Sequence, residues 1–434
     1  MTAPPDPAFP ALHARPAAGW VNDPNGLAHV DGRFHVFFQH NPAAPVHDAI
    51  TWGHVSSADL VSWRAEPPAL VPRPGGHDAR GCWTGCLTVE DGVPTAVYSG
   101  VADTSGASHV LLARSGDGLA TWVQDPRPAV GMPQDPTLSD VRDPFLFELD
   151  GHRYAVQGAG SPHGSPALLV YDADDLASWR ELGRLLGPDD PVAGPLAPAD
   201  IWECPNLVRL GDRWLLVLSL WRADGDRSPL AGVRWLVGDL LLEGGTPRFV
   251  PATGGVLDTG PCFYAPQLLA HDGRVLLWAW SWEHGRSDAD VRRAGWAGAL
   301  TFPRDLRLHG DRLVSRPAAE LTGLRAARLD LTPGRPFRAA AYEVELAAGT
   351  RSELWLVHAD GTSEPVARWE TPAEPLQPPR LLVDGSMVEI FAGGPESCTT
   401  RGYPRPGSRW RLDVPGTVTA WTLALTPFHV PTRP

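Results

Sequence analysis

A unit of about sixty residues recurs five times along this chain and constrains its fold more than any other feature. A turn signal precedes an apolar, β-rich run at Asp31-Gly32, Asp91-Gly92, Asp150-Gly151, Gly211-Asp212 and Asp272-Gly273. The runs are FHVFF, TAVYSG, RYAVQG, RWLLVLS and RVLLWAW, and each predicts a β-hairpin. Counted from the Asp of each turn, the spacings are 60, 59, 62 and 60 residues. A second landmark follows in fixed order at Asp59-Leu60, Gly118-Leu119, Asp175-Leu176, Asp239-Leu240 and Asp305-Leu306. Sixty residues of strands and turns make a four-stranded sheet that cannot hide both faces alone, so five of them stack around an axis. The alternative, small β-domains in tandem, leaves those faces uncovered.

The pattern therefore predicts an all-β chain, with a five-bladed β-propeller followed by a C-terminal β-sandwich. The expected boundaries are an N-terminal arm at residues 1–17, the propeller at 18–308, a linker with a short helix at 309–335 and the sandwich at 336–434. The helix is expected over Arg316–Leu324. The sandwich is expected from alternating runs such as YEVELAA, SELWLVHA and WRLDV, which carry no trace of the repeat.

Seven to nine residues before each hairpin turn stand Asp23, Trp83, Asp143, Glu203 and Tyr264, spaced 60, 60, 60 and 61 apart. Innermost propeller strands line a central funnel, so these positions are expected to face one another. Three are acids. A carboxylate near a buried axis is costly unless neighbours compensate. Each acid taken singly is accounted for by a turn cap or an arginine neighbour, as with Asp143 beside Arg142. Three at one repeat position call for chemistry. Two carboxyls flanking a glycosidic bond are what acid-assisted glycoside cleavage requires, one ionised and one protonated. Asn22 and Gln39 can hydrogen-bond sugar hydroxyls, and Trp20, Trp52, Trp83 and Trp280 can stack on sugar rings. With 18 Trp in the chain, most belong to the core.

Composition narrows the partners. The formal charge of −13 disfavours nucleic acid and anionic membrane surfaces and leaves a small neutral sugar as the expected substrate; that all 37 basic residues are arginine carries no functional weight. No segment approaches the roughly 20 apolar residues of a membrane span. The first residues have no basic start and no apolar run, so no secretory signal is read there, and the expected location is cytoplasmic. Five cysteines do not form a disulfide framework, and no Cys/His cluster has metal-site spacing; His47 and His54 lack a third ligand. Cys204 and Cys262 read as buried apolar thiols. No phosphate loop is present, so neither cofactor nor metal is expected. A homo-oligomer through the sandwich is the expected assembly, if any forms.

WVNDPNG (20–26), VRDPF (141–145) and WECPNL (202–207) resemble, in order and spacing, glycoside hydrolase family 32, the invertases, levanases, inulinases and sucrose-6-phosphate hydrolases. FFQHNP (37–42), GCWTG (81–85), FYAPQ (263–267), GWAGALTFPRDL (295–306) and LLVDGSMVEIF (381–391) extend the resemblance over nearly the whole chain past residue 18. It implies the same propeller and sandwich, Asp23 as nucleophile, Glu203 as general acid/base and Asp143 as transition-state stabiliser. Asn22, Gln39, Trp83, Thr84, Arg142 and Trp280 match positions lining the site of the terminal fructosyl ring. The chain departs from the pattern at His47, where many eukaryotic members carry Trp, and at Thr84, where Ser is common. The implied activity is retaining hydrolysis of β-fructofuranosyl linkages in sucrose or short fructo-oligosaccharides. The alternatives are a fructosyltransferase of the same fold, or a non-catalytic sugar-binding propeller.

Overall fold

The structure, a computed structural model, describes residues 6–105, 107–223 and 229–425. It consists almost entirely of β-strands. Every predicted hairpin forms, joining the pairs Gly19–Val30/Arg33–Asn41, Gly81–Glu90/Val93–Val101, Asp140–Leu149/His152–Gly160, Ile201–Leu210/Arg213–Trp221 and Phe263–His271/Arg274–Ser281. In four of the turns both Asp and Gly have positive φ, as in Asp31 (50°) and Gly32 (73°). That is the mirror-image turn that matches the twist of the flanking strands. The second landmark also has a physical meaning. Leu60, Leu119, Leu176, Leu240 and Leu306 are all buried, and Asp59 accepts backbone N–H bonds from Val61 and Ser62 to hold the turn beneath Leu60.

The first strand of each hairpin touches the first strand of the next, and Phe263–His271 returns to Gly19–Val30, so five inner strands close a ring. Gln267 stitches three of them, accepting from Leu27 N at 3.0 Å and donating to Gly85 O at 2.6 Å. Two further strands extend each of the five hairpins outward; the third and fourth sheets are joined by the single pair Gly160–Ile201. Gly19 and Trp20 pair in parallel with Trp296 and Ala297, which fastens the first sheet to the segment that follows the fifth hairpin.

The fifth sheet runs on through Arg304–His309 and Arg312–Pro317, so the expected boundary at 308 falls inside a hairpin. That hairpin lacks the long apolar run that marks the others. Ala319–Leu324 is a short 3-10 helix where a helix was expected, and Arg325–Arg328, placed in the expected linker, already pairs with Thr419–Leu423. Beyond it a six-stranded and a three-stranded sheet share a core of Tyr342, Val344, Leu354, Leu356, Val383, Ile390, Trp410 and Leu412.

The arm, from residue 6 onward, wraps onto this C-terminal part. Asp384 accepts from the backbone N–H groups of Ala11, Leu12 and His13. The His13 ring bridges Asp384 (2.8 Å) and Glu389 (3.2 Å) and stacks on Phe302. Burial opposes charge on His13, but the two carboxylates prevail and raise its pKa. Glu389 in turn accepts from Arg304, whose guanidinium also meets Asp258 at 2.9 Å and the hydroxyls of Ser397 and Thr399. The repeat region, the arm and the C-terminal sheets therefore meet at one buried, hydrogen-bonded charge cluster.

Candidate active site

Each inner strand carries a β-bulge at the same height, two of its residues facing one on the partner. The pairs are Asn22-Asp23, Trp83-Thr84, Asp143-Pro144, Cys204-Pro205 and Ala265-Pro266. Three second positions are Pro, which has no N–H for the broken ladder to leave unpaired. Their predecessors Asp143, Cys204 and Ala265 have φ of 62°, 47° and 46°. Such conformations cost roughly 1 to 2 kcal/mol each and persist where the surroundings hold them. Ser99 Oγ accepts from Asp143 N, and Ser219 Oγ from Ala265 N.

The bulges correct one expectation. The three acids do not share a register position: Asp143 is a first bulge residue, Asp23 a second, and Glu203 immediately precedes a bulge. Equivalent positions lie 61 apart except between the second and third strands, where Trp83 and Asp143 are 60 apart, and the site's hydrogen bonds run between residues 61 apart. Thr84 donates to Asp23 Oδ2 at 2.6 Å, Cys204 N to Asp143 Oδ2 at 2.9 Å, Arg142 to Glu203 Oε1 at 2.8 and 3.0 Å, and Tyr264 to Glu203 Oε2 at 2.6 Å.

Gln39, opposite the first bulge, donates to Asp23 Oδ2 at 3.0 Å and to Thr84 at 2.7 Å. Asn22 donates to Asp23 Oδ1 at 3.1 Å and accepts from Trp20 Nε1. Oδ1 is thus the less encumbered oxygen of Asp23. Arg142 spends its remaining arm on Asp140 at 2.7 Å and lies 6.0 Å from the Trp83 ring centre. Trp280 and Trp20 meet at 5.6 Å, and the His47 ring stands edge-on between Trp20 and Trp83. All nine expected site residues therefore gather around one mouth. Trp52 is instead fully buried and supports the wall by donating to Trp83 O.

Three contributors were not expected. Tyr264 stood at the repeat position but was given no role; the spacing was its signal. Asp140 braces Arg142. Cys204, read as an inert thiol, has its sulfur 3.5 Å from Asp143 Oδ2 and 3.7 Å from Asp23 Oδ2. Burial and then those two charges raise its pKa well above normal, so it stays a thiol and a donor.

Burial pushes Asp23 up to about 6, against the hydrogen bond from Thr84, with the charge of Glu203 adding to the rise. Burial likewise pushes Asp143 up to about 7; Arg142 opposes this, while Glu203 and Asp23 reinforce it. Asp23 and Asp143 therefore both change protonation near neutrality, as acid–base chemistry requires. Two polar atoms here, Gln39 Oε1 and Trp280 Nε1, are buried without a protein partner, which is what a site built for a polyhydroxylated ligand leaves open. Among the described residues no three His, Cys, Asp or Glu side chains are grouped to hold a metal, and no helix is long and apolar enough to cross a membrane.

A strand ring whose mouth gathers perturbed carboxyls, an arginine and a tryptophan wall defines a glycosidase. Residues 13–317 match the family model "Glycosyl hydrolases family 32 N-terminal domain", and the chain belongs to that family. It is 31% identical to the raffinose invertase of Escherichia coli and 34% identical to the sucrose-6-phosphate hydrolase of Klebsiella pneumoniae, over 92% of this chain and 90% of each relative. Among solved structures, the Bombyx mori GH32 β-fructofuranosidase BmSUC1 superposes with a TM-score of 0.81 at 28% identity, covering 96% of this chain and 94% of that one. A mutant of that protein has been solved in complex with sucrose.

Proposed function

We propose that the chain is a retaining β-fructofuranosidase acting on sucrose or short fructo-oligosaccharides, with Asp23 as nucleophile, Glu203 as acid/base and Asp143 as stabiliser. The five ring sheets form a five-bladed propeller that ends at Pro317, and the last two sheets form a β-sandwich. The observation that carries the assignment is the division of partners among the acids. Asp23 keeps one lightly bonded oxygen, while Glu203 Oε1 is held by Arg142 and its Oε2 lies beside Tyr264.

Asp23 Oδ1 attacks the fructosyl anomeric carbon as its bond to the leaving oxygen breaks, and Glu203 gives that oxygen its proton. A fructosyl ester results. Glu203 then takes a proton from water, whose oxygen bonds to the anomeric carbon as the ester bond breaks, restoring the Asp23 carboxylate. Asn22 and Gln39 hold hydroxyls of the fructosyl ring, Trp280 and Trp83 wall it in, and Thr84 and Arg142 fix the acids. As oxocarbenium charge develops, Asp143 strengthens its hold on the ring. Unpaired thiols suit a reducing cytoplasm.

The pH profile tests this reading. Asp23 must be ionised, so kcat/KM is expected to fall as pH drops through about 6. An alkaline limb should mark loss of the proton that Glu203 must give the leaving oxygen. Glu203→Gln should remove the alkaline limb along with most of the activity; an unchanged alkaline limb in that variant contradicts the role of Glu203.

A further inference from the structure

We propose that the leaving group accepted by this site is uncharged, and that sucrose bearing a phosphate on its glucosyl unit is discriminated against. The inference rests on the hydrolase reading above and specifies its substrate.

Inner strands begin, and their hairpin partners end, at the mouth that holds the acids. The connections 42–50, 102–105, 107–108 and 282–295 therefore surround whatever leaves from Glu203. Beside the site, His47, Asp48, Arg80, Trp83, Asp103 and Thr104 line a cavity of about 230 Å³. His47 separates it from a second cavity of about 280 Å³, bounded by Trp20, Trp280, Trp282, Arg286, Asp288 and Arg292.

A phosphate dianion is recognised by free guanidinium forks, and all but one of the described arginines around this mouth are engaged. Arg142 is filled by Glu203 and Asp140. Arg286 pairs with Glu283 and Asp6 and lies over the Trp296 ring at 4.3 Å. Arg80 faces Asp48 at 3.6 Å, with Asp103 lining the same cavity. Arg222 donates twice to Pro198 O. Among the described residues of this mouth, only Arg292 has neither ion pair nor hydrogen bond, and Asp288 stands one helical turn before it. A second negative group placed here faces Asp48 or Asp288 at the rim and the carboxyls of Asp23 and Asp143 below. A neutral glucosyl unit meets instead the aromatic edges of Trp20, His47 and Trp83, without that repulsion.

The experiment compares kcat/KM of the full chain on sucrose and on sucrose 6-phosphate at one ionic strength. Sucrose should be favoured by at least about tenfold, the effect of a few such repulsions near a surface. Equal or greater efficiency on the phosphorylated sugar overturns the proposal and leaves the hydrolase reading intact, whereas cleavage of neither overturns both. The double variant Asp48→Asn/Asp103→Asn should leave sucrose hydrolysis within about twofold. It should raise efficiency on the phosphorylated sugar about three- to tenfold, a gain that shrinks in high salt. A preference for sucrose that neither the variant nor salt alters would also overturn it.

Discussion

Asp23→Asn is expected to lower turnover by at least about 10⁴-fold, as loss of a nucleophile does, and to make the protein more stable at pH 7.5. Both effects come from the same burial. The Asp23 carboxyl ionises at about 6 in the folded protein, against an ordinary value of 3.8. A raised carboxyl pKa means that the folded state binds a proton more tightly than the unfolded chain. Stability is therefore lost as pH rises from 3.8 to 6, and the deficit is complete above that. Two pH units correspond to at most about 3 kcal/mol. Asn keeps the volume without the charge and recovers part of that amount, less what is lost because one end of the amide faces the Asn22 donor. Unfolding at pH 7.5 and pH 4 checks it. The variant should be more stable at the higher pH and indistinguishable at the lower; equal stability at pH 7.5 would mean that the carboxylate is not desolvated.

Arg304→Met should be the most damaging single change away from the site. The side chain is fully buried and holds Glu389 and Asp258 together where the C-terminal sheets meet the repeats. Methionine fills the space but leaves buried Asp258 without a cation and Glu389 with His13 alone. Breaking a buried pair in this way costs about 3 to 5 kcal/mol. Denaturant unfolding should show that loss, and adding Asp258→Asn and Glu389→Gln should recover part of it. A loss below about 1 kcal/mol would mean that water reaches the cluster.

The repeat, the hairpins and the gathering of the acids were legible in the sequence because each rests on local chemistry. Asp-Gly turns and apolar runs specify hairpins wherever they occur, and repetition at sixty residues specifies their stacking. What stayed hidden depends on contacts that leave no periodic mark. A bulge adds one residue, so a spacing of 60 between Asp143 and Glu203 looks like equivalence when the equivalent of Asp143 is Cys204. The thiol of Cys204 looked inert because no histidine stands near it in sequence to activate it; its partners are Asp23 and Asp143, on two other inner strands. The cluster around Arg304 joins His13 to residues more than 370 positions away, and no short-range pattern announces such a contact. The boundary near 308 was missed for the converse reason, because its last hairpin carries the Gly310-Asp311 turn but only a short apolar run.

Trapping the covalent intermediate tests the central claim most directly. Glu203→Ala supplied with azide should yield a β-fructosyl azide, because the ester on Asp23 still forms from an activated fructoside and azide needs no general base. Asp23→Ala should give none. A β-configured azide from the first variant and none from the second is the result expected of a retaining enzyme with Asp23 as nucleophile. An α-configured product, or azide rescue of Asp23→Ala instead, would contradict it.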